Sequence, residues 1–336
     1  MKVLLLAGGN SSEAAVSINS GRAIYDALKR LGHDVLAIDP AGGKPLIGSD
    51  GNYLPPSAPT STAMTAAPGS LPALTFGSAN LKDISVVLIA LHGGEGENGT
   101  IQCLLDLSGM KYTGSGMAAS AIAMNKAITK RLLATVEVPT PDWKLYQYRS
   151  ASDAQPIKTD ILSHFKYPFI IKPNESGSTV GLTKVKAESE IIPALASAAS
   201  EGPGVLVEEF ISGREITAAV LDGHAFPLVE IRPKNELYDY EAKYTKGKSE
   251  YLAPAPLDAA TTTKIQEAGL RAYQVIGASG LARVDFILQE NGTFHCLEIN
   301  TLPGMTNLSL APMAAKCEGI DFDSLIEKLI QSALNK

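Results

Sequence analysis

Cysteine is scarce here: three residues in 336, at 103, 296 and 317, an odd number with none of the short spacings of a metal-binding pair. That excludes a disulfide framework and a zinc ribbon, and it suits a reducing compartment, the cytoplasm. Runs of basic residues are missing and the net charge is −6 at pH 7, so nucleic acid is not an expected partner. Long apolar runs are missing too. The longest, ISVVLIAL (84–91), is strand-sized and far short of a membrane span, so no membrane association is expected. The opening MKVLLLAGG has too short an apolar stretch for a signal peptide and, ending in Gly-Gly, reads as a first buried strand. Two phosphate-binding signatures are also lacking. GGNSSE stands where a dinucleotide fold needs G-x-G-x-x-G, which disfavours a Rossmann oxidoreductase, and no Gly-Lys-Ser/Thr opens a helix, so there is no Walker A loop.

What remains is an ordinary globular composition, 45% hydrophobic and 19% charged, in a chain long enough for two or three domains. A strand (2–6), a helix near 13–31 stopped by Gly32 and a strand (34–38) make a βαβ start, hence a parallel sheet. Residues 41–83, rich in Pro, Ser, Ala, Thr and Gly, read as an irregular insertion with one or two short strands at most. A strand (84–91) and a helix (99–108) follow, and MNKAITK begins another helix. Short β segments come next, at 168–172, 178–185, 204–209, 214–221 and 225–231. Helix 258–277, a hairpin over 282–300 and the amphipathic FDSLIEKLIQSAL close the chain. The order is α/β first, then antiparallel sheet with helices.

The hairpin ARVDFILQENGTFHCLEIN carries the sharpest chemical signal. Taking Asn291-Gly292 as a two-residue type I′ turn sets Asp285 opposite Glu298 and Arg283 opposite Asn300, all four on one face. The other face, Val284, Phe286, Leu288, Leu297 and Ile299, is a core surface. Two carboxylates about 5 Å apart repel by roughly 3 kcal/mol at an effective dielectric near 20, more than the ~0–1 kcal/mol a surface ion pair returns. Either Arg283 serves as counter-ion on a solvated acidic face, or a hard cation such as Mg²⁺ or Mn²⁺ lies between them.

Other segments offer paired readings. IIKPNESGSTVGLTKV (170–185) places Lys172 at a strand end before a Gly-Ser-Thr turn, either a plain hairpin loop or a phosphate cradle with Ser178 and Thr179 as donors. VLVEEFISGREITAAVL (205–221) ends a strand at Glu208 and Glu209, which are either edge-strand acids or the wall of an adenine and ribose site. In AGGNSSEAAVS (7–17), Gly8-Gly9 permits a close approach, Ser11 or Ser12 can cap the helix, and Glu13 lies in its first turn. His92 ends a parallel strand, the side on which open α/β sheets bind ligands. ELYDYEAKYTKGKSEY (236–251) has the composition of an ordered lid, and NTLPGMTNLS (300–309) offers the Gly304 N–H and the Ser309 hydroxyl to an oxyanion or a carboxylate.

Together, in order and over nearly the whole chain outside 41–83, these segments resemble the D-alanine–D-alanine ligases of the ATP-grasp superfamily. GGNSSEAAVSINSG, ALHGGEGENGT, IIKPNESGSTVG, VLVEEFISGREI, YDYEAKY and ARVDF…LEINTLPGMTNLSL carry the resemblance. It implies three domains, 1–118 (parallel α/β), 119–211 (central) and 212–336 (C-terminal, with the metal site), and ATP held between the antiparallel sheets of the last two. It implies Asp285, Glu298 and Asn300 as ligands of two Mg²⁺ (or Mn²⁺) ions. Lys126, Lys172 and Thr179 match the phosphate-binding residues, and Glu208, Glu209, Ile211 and Glu215 the adenine and ribose contacts. Arg283 and Gly304 match the oxyanion donors. Glu13, linked through Ser178 to Tyr244, matches the site of the first ammonium, with His92 nearby. Lys243 and Ser309 match the site of the second carboxylate.

The implied reaction joins two D-alanine molecules through an acyl phosphate for peptidoglycan, in a cytoplasmic homodimer. The intact YDYEAKY motif favours an amine over a hydroxy-acid acceptor. Two departures bear on substrate range. Ala14 and Ala15 stand where the family usually has a basic then an acidic residue, and the loop reads NESGSTVG where relatives often have Arg-Glu-Gly-Ser-Ser. A ligase joining other amino acids is the nearest alternative. A non-catalytic nucleotide-binding protein is a more distant one, because Arg283 and every metal ligand are present.

Overall fold

Every residue of β1 (Lys2–Leu6) except the first is buried, because both of its faces are covered. Val3 and Leu5 pack into one core with Ile24 and Leu28 of α1 (Ala14–Arg30), and Leu4 and Leu6 pack on the opposite side. A parallel strand covered twice needs an unbroken apolar run, and VLLL supplies it. β2 (Asp34–Asp39) pairs with β1 in parallel and carries β3 (Lys44–Pro45) antiparallel at its edge, while β4 (Val86–Ile89) flanks β1 on the other side. Four helices follow: α2 (Gly94–Glu97), α3 (Thr100–Leu107), α4 (Met117–Met124) and α5 (Lys126–Thr135). This computed structural model describes residues 1–54, 81, 83–177, 179–233, 249–306 and 308–336. Most of the 41–83 insertion and the lid-like stretch up to residue 248 therefore lie outside the described residues. The start of the insertion holds β3 and a bridge between Ile47 and Tyr53.

A second unit comprises β5 (Trp143–Gln147), α6 (Ala154–His164), β6 (Phe169–Pro173), β7 (Thr183–Val185), α7 (Ile191–Ala199) and β8 (Gly204–Glu209). Its strands form an antiparallel sheet in the order β5-β8-β6-β7. Phe169, Ile171, Val205 and Val207 pack on Ile161 and Leu195 of the two helices. Strand alternation then turns Ile170, Lys172, Leu206 and Glu208 to the opposite face.

The third comprises β9 (Arg214–Leu221), β10 (His224–Ala225), β11 (Val229–Pro233), β12 (Ser249–Leu252), α8 (Ala259–Val275), β13 (Leu281–Leu288) and β14 (Phe294–Asn300). Its sheet runs β12-β11-β9-β13-β14, with β10 paired to β9. Ile216, Ala218, Val284, Phe286 and Leu288 bury against Ile265, Ala268 and Ala272 of α8, leaving Glu215, Thr217, Arg283, Asp285 and Ile287 on the other side. The closing helices α9 (Leu310–Lys316) and α10 (Phe322–Leu334) return to the first core: Ala314, Leu325, Ile326 and Ile330 share it with Val3 and Leu5. Arg30 of α1 pairs with Asp323 of α10 at 2.6 Å. Among the described residues no helix is long and apolar enough to cross a membrane.

Several expected elements differ in extent. The 178–185 strand is reduced to β7, because Thr179 and Gly181 take positive φ (66° and 69°) and bend the preceding loop. The 225–231 strand divides into β10 and β11 around Pro227, which has no N–H for a ladder. Glu13 is the N-cap residue of α1 rather than part of its first turn, and no side chain caps that helix. The Ser11 hydroxyl instead accepts from the Glu13 N–H at 3.2 Å.

The 282–300 hairpin departs from expectation at two places that offset each other. Gln289 N–H donates to Thr293 O at 2.8 Å and Gly292 N–H to Gln289 O at 3.0 Å, so residues 290–292 form a three-residue loop with Gly292 at φ 82°. The outer pairing thereby slips by one, setting Phe286 opposite Cys296 and Leu288 opposite Phe294. A β-bulge beside Asp285 absorbs the slip, so that Asp285 does face Glu298 and Arg283 does face Asn300. Leu297 is the extra residue. It leaves the core face expected of it and lines the intersheet cleft, and Cys296 takes the core position.

Candidate active site

The polar faces of the two antiparallel sheets face each other across a cleft. Lys126, Lys172, Thr179, Glu208, Glu209, Ile211, Glu215, Asp285 and Glu298 all line it. Glu208 is the buried centre of its charge network. Its Oε1 meets the Lys172 ammonium in a short contact, and its Oε2 lies 3.0 Å from Lys130 Nζ, as an ion pair rather than an aligned hydrogen bond. Burial alone would raise the Glu208 carboxyl, but Lys172 and Lys130 outweigh it and hold it below the usual carboxylate range. Burial lowers the Lys130 ammonium, with Glu208 acting against that. Because the Glu208 side chain turns inward to these lysines, its remaining offering to a ligand is the backbone of β8.

On the facing sheet, Arg283 grips Asp285 through two bonds, Nε to Oδ1 and Nη2 to Oδ2, each 2.9 Å, and the Thr217 hydroxyl donates to Oδ1 at 2.6 Å. Lys126 Nζ stands 3.7 Å from Glu298 Oε2 and donates to the Ser176 carbonyl at 2.6 Å. Asn300 Oδ1 accepts from the Leu302 N–H at 2.9 Å. The paired acids thus each have a protein cation beside them. Their donor set is two carboxylates and an amide oxygen, hard ligands of the kind Mg²⁺ and Mn²⁺ take. Among the described residues no group of three or more His, Cys, Asp or Glu side chains gathers at one point.

Beside this cleft lies a second, larger cavity, lined by Glu13, His92, Lys126, Arg283, Glu298, Asn300, Gly304 and Ser309 among others. Lys126 and Glu298 belong to both walls. Glu13 is buried, and the absence of side chains at Gly93 and Gly177 makes room for it: a Cβ on either would stand 2.9 Å or 3.0 Å from Glu13 Oε2. His92 is buried as well, its Nε2 3.1 Å from Ser20 Oγ and its Nδ1 3.6 Å from Glu97. The Ser309 hydroxyl is tied into its own loop, 3.0 Å from Thr306 N and 2.9 Å from Thr306 Oγ1. The space a side chain would take at Gly8 is filled by the Asp39 carboxylate, which accepts from the Gly9 N–H at 2.9 Å, and that at Gly9 borders Leu91.

Every described residue matched to a metal, nucleotide, oxyanion or amino-acid contact therefore lines one of two adjoining cavities, whereas Gly8, Gly9, Ser11 and Ser12 line neither. Ser178, Lys243 and Tyr244 lie outside the described residues. Three residues were not singled out. Lys130 is four positions after Lys126 on α5, the spacing that puts two side chains on one helix face. Thr217 is the β9 partner of Asp285. Asn174, one of the loop departures, is buried, and its carbonyl and side-chain oxygens accept from Lys126 N–H (3.1 Å) and Ala127 N–H (2.9 Å), pinning the loop to the start of α5. The other departure points away from the site. Val16, Asn19 and Ser20 of α1 line the second cavity, whereas Ala14 is half-buried, Ala15 is exposed and neither lines it.

A parallel α/β unit set beside two antiparallel sheets that close on a lysine-lined cleft is the three-domain ATP-grasp arrangement. The family model for the D-ala D-ala ligase N-terminus matches residues 2–115 and that for the D-ala D-ala ligase C-terminus residues 132–331. The chain belongs to the D-alanine–D-alanine ligase family. A D-alanine–D-alanine ligase of Magnetococcus marinus is 40% identical over 333 residues, covering 99% of this chain and 97% of that protein. Among solved structures, a D-alanine–D-alanine ligase from Bacillus anthracis complexed with ATP matches with a TM-score of 0.78 and 28% identity, over 100% of this chain and 98% of that one. VanG D-Ala:D-Ser ligase from Enterococcus faecalis matches equally well, with a TM-score of 0.78 and 28% identity over 99% of each chain.

Proposed function

We propose that this chain joins two D-alanine molecules into D-alanyl-D-alanine with ATP, as its family implies. Support comes above all from the shared wall: Lys126 and Glu298 border both cavities, where a phosphoryl group must pass from nucleotide to amino acid. In this reading Lys126, Lys172 and Thr179 bind the ATP phosphates, the backbone from Glu208 to Ile211 binds adenine, and Glu215 binds the ribose. Two Mg²⁺ or Mn²⁺ ions, held by Asp285, Glu298 and Asn300, would screen the phosphate charge. Glu13 holds the ammonium of the first D-alanine, with His92 beside it and Ser178 and Tyr244 completing the link. The carboxylate of that D-alanine attacks the γ-phosphate, giving an acyl phosphate and ADP. Lys243 and Ser309 hold the second carboxylate while its amine displaces phosphate, and Arg283 with the Gly304 N–H stabilises the tetrahedral oxyanion. No protein nucleophile is required, so the residues act by position and charge.

Domain boundaries near 118/119 and 211/212, a homodimer, a cytoplasmic location and a role in peptidoglycan synthesis belong to the same proposal. The test is ATP-dependent phosphate release with D-alanine, with L-alanine, and with D-alanine plus D-lactate or D-serine, the products identified by mass. Release only where D-alanine is present, with D-alanyl-D-alanine as the product, is expected. Turnover with a different amino acid and silence with D-alanine would sink the substrate assignment.

A further inference from the structure

Glu208 is a single buried carboxylate held between two buried ammonium groups, and only one of them reaches a cavity. Lys172 lines the intersheet cleft; Lys130, its side chain 2% exposed, approaches Glu208 from α5 and lines neither cavity. Buried ionic groups in proteins are ordinarily balanced, because each uncompensated charge costs several kcal/mol of desolvation. Here two ammonium groups share one carboxylate. The neighbouring Cys296 thiol, wholly buried, is pushed up to about 12 by burial and adds no negative charge. These three groups together sum to one unit of positive charge, and Lys172 is the member that faces the cleft, whose wall also carries Glu209, Glu215, Asp285 and Glu298. If Lys172 and Glu208 were alone, they would cancel, and an anion in the cleft would meet a neutral pair.

We propose that Lys130 is a positioning residue for the nucleotide: by neutralising Glu208 from behind, it leaves the charge of Lys172 available to the phosphate groups. The inference rests on the reading of Lys172 as a phosphate ligand. Its test is ADP binding by calorimetry, with steady-state kinetics and thermal melts, on the full chain carrying Lys130→Met, Lys172→Met, or Lys130→Met combined with Glu208→Gln. The last change leaves the β8 backbone in place.

Lys130→Met weakens ADP binding and raises KM for ATP by about tenfold or more, while kcat and KM for D-alanine stay within about twofold of the parent. Adding Glu208→Gln removes the carboxylate that then cancels Lys172, so ADP affinity returns to within about threefold of the parent, although the melting temperature falls because Lys172 has lost its partner. Affinity and stability thus move in opposite directions. A lysine that served only packing would make the double variant worse than the single one in both. Unchanged ADP affinity in Lys130→Met, or a double variant that binds ADP more weakly than the single one, overturns the proposal. Parental ADP affinity in Lys172→Met overturns instead the phosphate-site reading on which it rests.

Discussion

The intersheet cleft draws most of its charged groups from strands, whereas the larger cavity beside it is assembled mainly from loops and helix starts. Lys172, Glu208, Glu215, Asp285 and Glu298 all sit on β6, β8, β9, β13 and β14, where ladder pairing sets each side chain's face. Glu13 precedes α1, His92 follows β4, and Gly304 and Ser309 lie in the loop after β14. These parts meet only because the closing helices return to pack on β1 and α1. Side chains on paired strands are held more precisely than those on converging loops. Variants at the shared wall, then in each cavity, then outside both, should separate the two kinds of site.

The largest effect is expected at the shared wall. Glu298→Gln should lower kcat by on the order of 10³-fold and weaken ADP binding as well, since the residue borders both cavities. Loss confined to one substrate would place it in one cavity only. Arg283→Ala comes next: phosphate release should fall by about 10²- to 10³-fold with ADP affinity within about threefold of the parent. Equal loss of both would reassign Arg283 to holding Asp285 for the nucleotide. Glu13→Gln, in the loop-built cavity, should raise KM for the first D-alanine by about 10- to 100-fold, the worth of a charge-assisted hydrogen bond, and leave ADP affinity alone. A drop in ADP affinity there would mean that the 174–182 loop, which packs on Glu13 at Gly177, had moved with it.

The same contrast governs how much of the molecule was legible in its sequence. Period-two alternation places Lys172, Asp285 and Glu298 on cleft faces because strands obey a local rule. Even so, the hairpin reaches the expected Asp285–Glu298 pairing by a different route. Asn291-Gly292 resembles a two-residue turn, yet only Gly292 takes the left-handed φ, and a bulge at Leu297 restores the register. Alternation alone cannot locate a bulge, so Leu297 and Cys296 exchange faces unannounced. Lys130 shares its helix face with Lys126, but its partner Glu208 is 78 residues away in the chain, and no periodicity reaches that far. The loop-built cavity was legible only through family resemblance, because nothing local in AGGNSSEAAVS or ALHGGEGENGT says that Glu13 and His92 meet.

A smaller effect tests whether the strand-built side owes part of its firmness to buried charge. Glu230 on β11 is nearly inaccessible and is held by Arg214 at 2.7 Å and Arg232 at 3.0 Å. Burial pushes its carboxyl up, but the two guanidinium groups outweigh that and hold it below the usual range. A carboxyl depressed in the folded state adds stability above its unfolded value, about pH 4.3, and loses that contribution as pH falls through the folded value. Both arginines are partly exposed, so screening limits the gain to about 1 kcal/mol. Glu230→Gln should therefore cost about 1 kcal/mol in urea melts at pH 7 and much less at pH 3. A difference that persists unchanged at pH 3 would trace to packing rather than charge.

The smallest effect is expected at the departure most suggestive of altered specificity. Ala14 and Ala15 replace charged residues of the family pattern beside Glu13, yet the face of α1 that meets the cavity is Val16, Asn19 and Ser20. Ala15 is solvent-exposed in the first turn of a helix that has no acidic residue there. An acid at that place interacts with the unpaired N–H groups of the helix start, worth about 0.3–1 kcal/mol at low salt. Ala15→Glu should therefore raise stability by a few tenths of a kcal/mol, an increment that fades as salt is added, while kcat and KM for D-alanine hold within about twofold. If KM for D-alanine moved tenfold instead, the first turn of α1 would reach the substrate after all, and the family pattern at these two positions would be a specificity device rather than a helix-end charge.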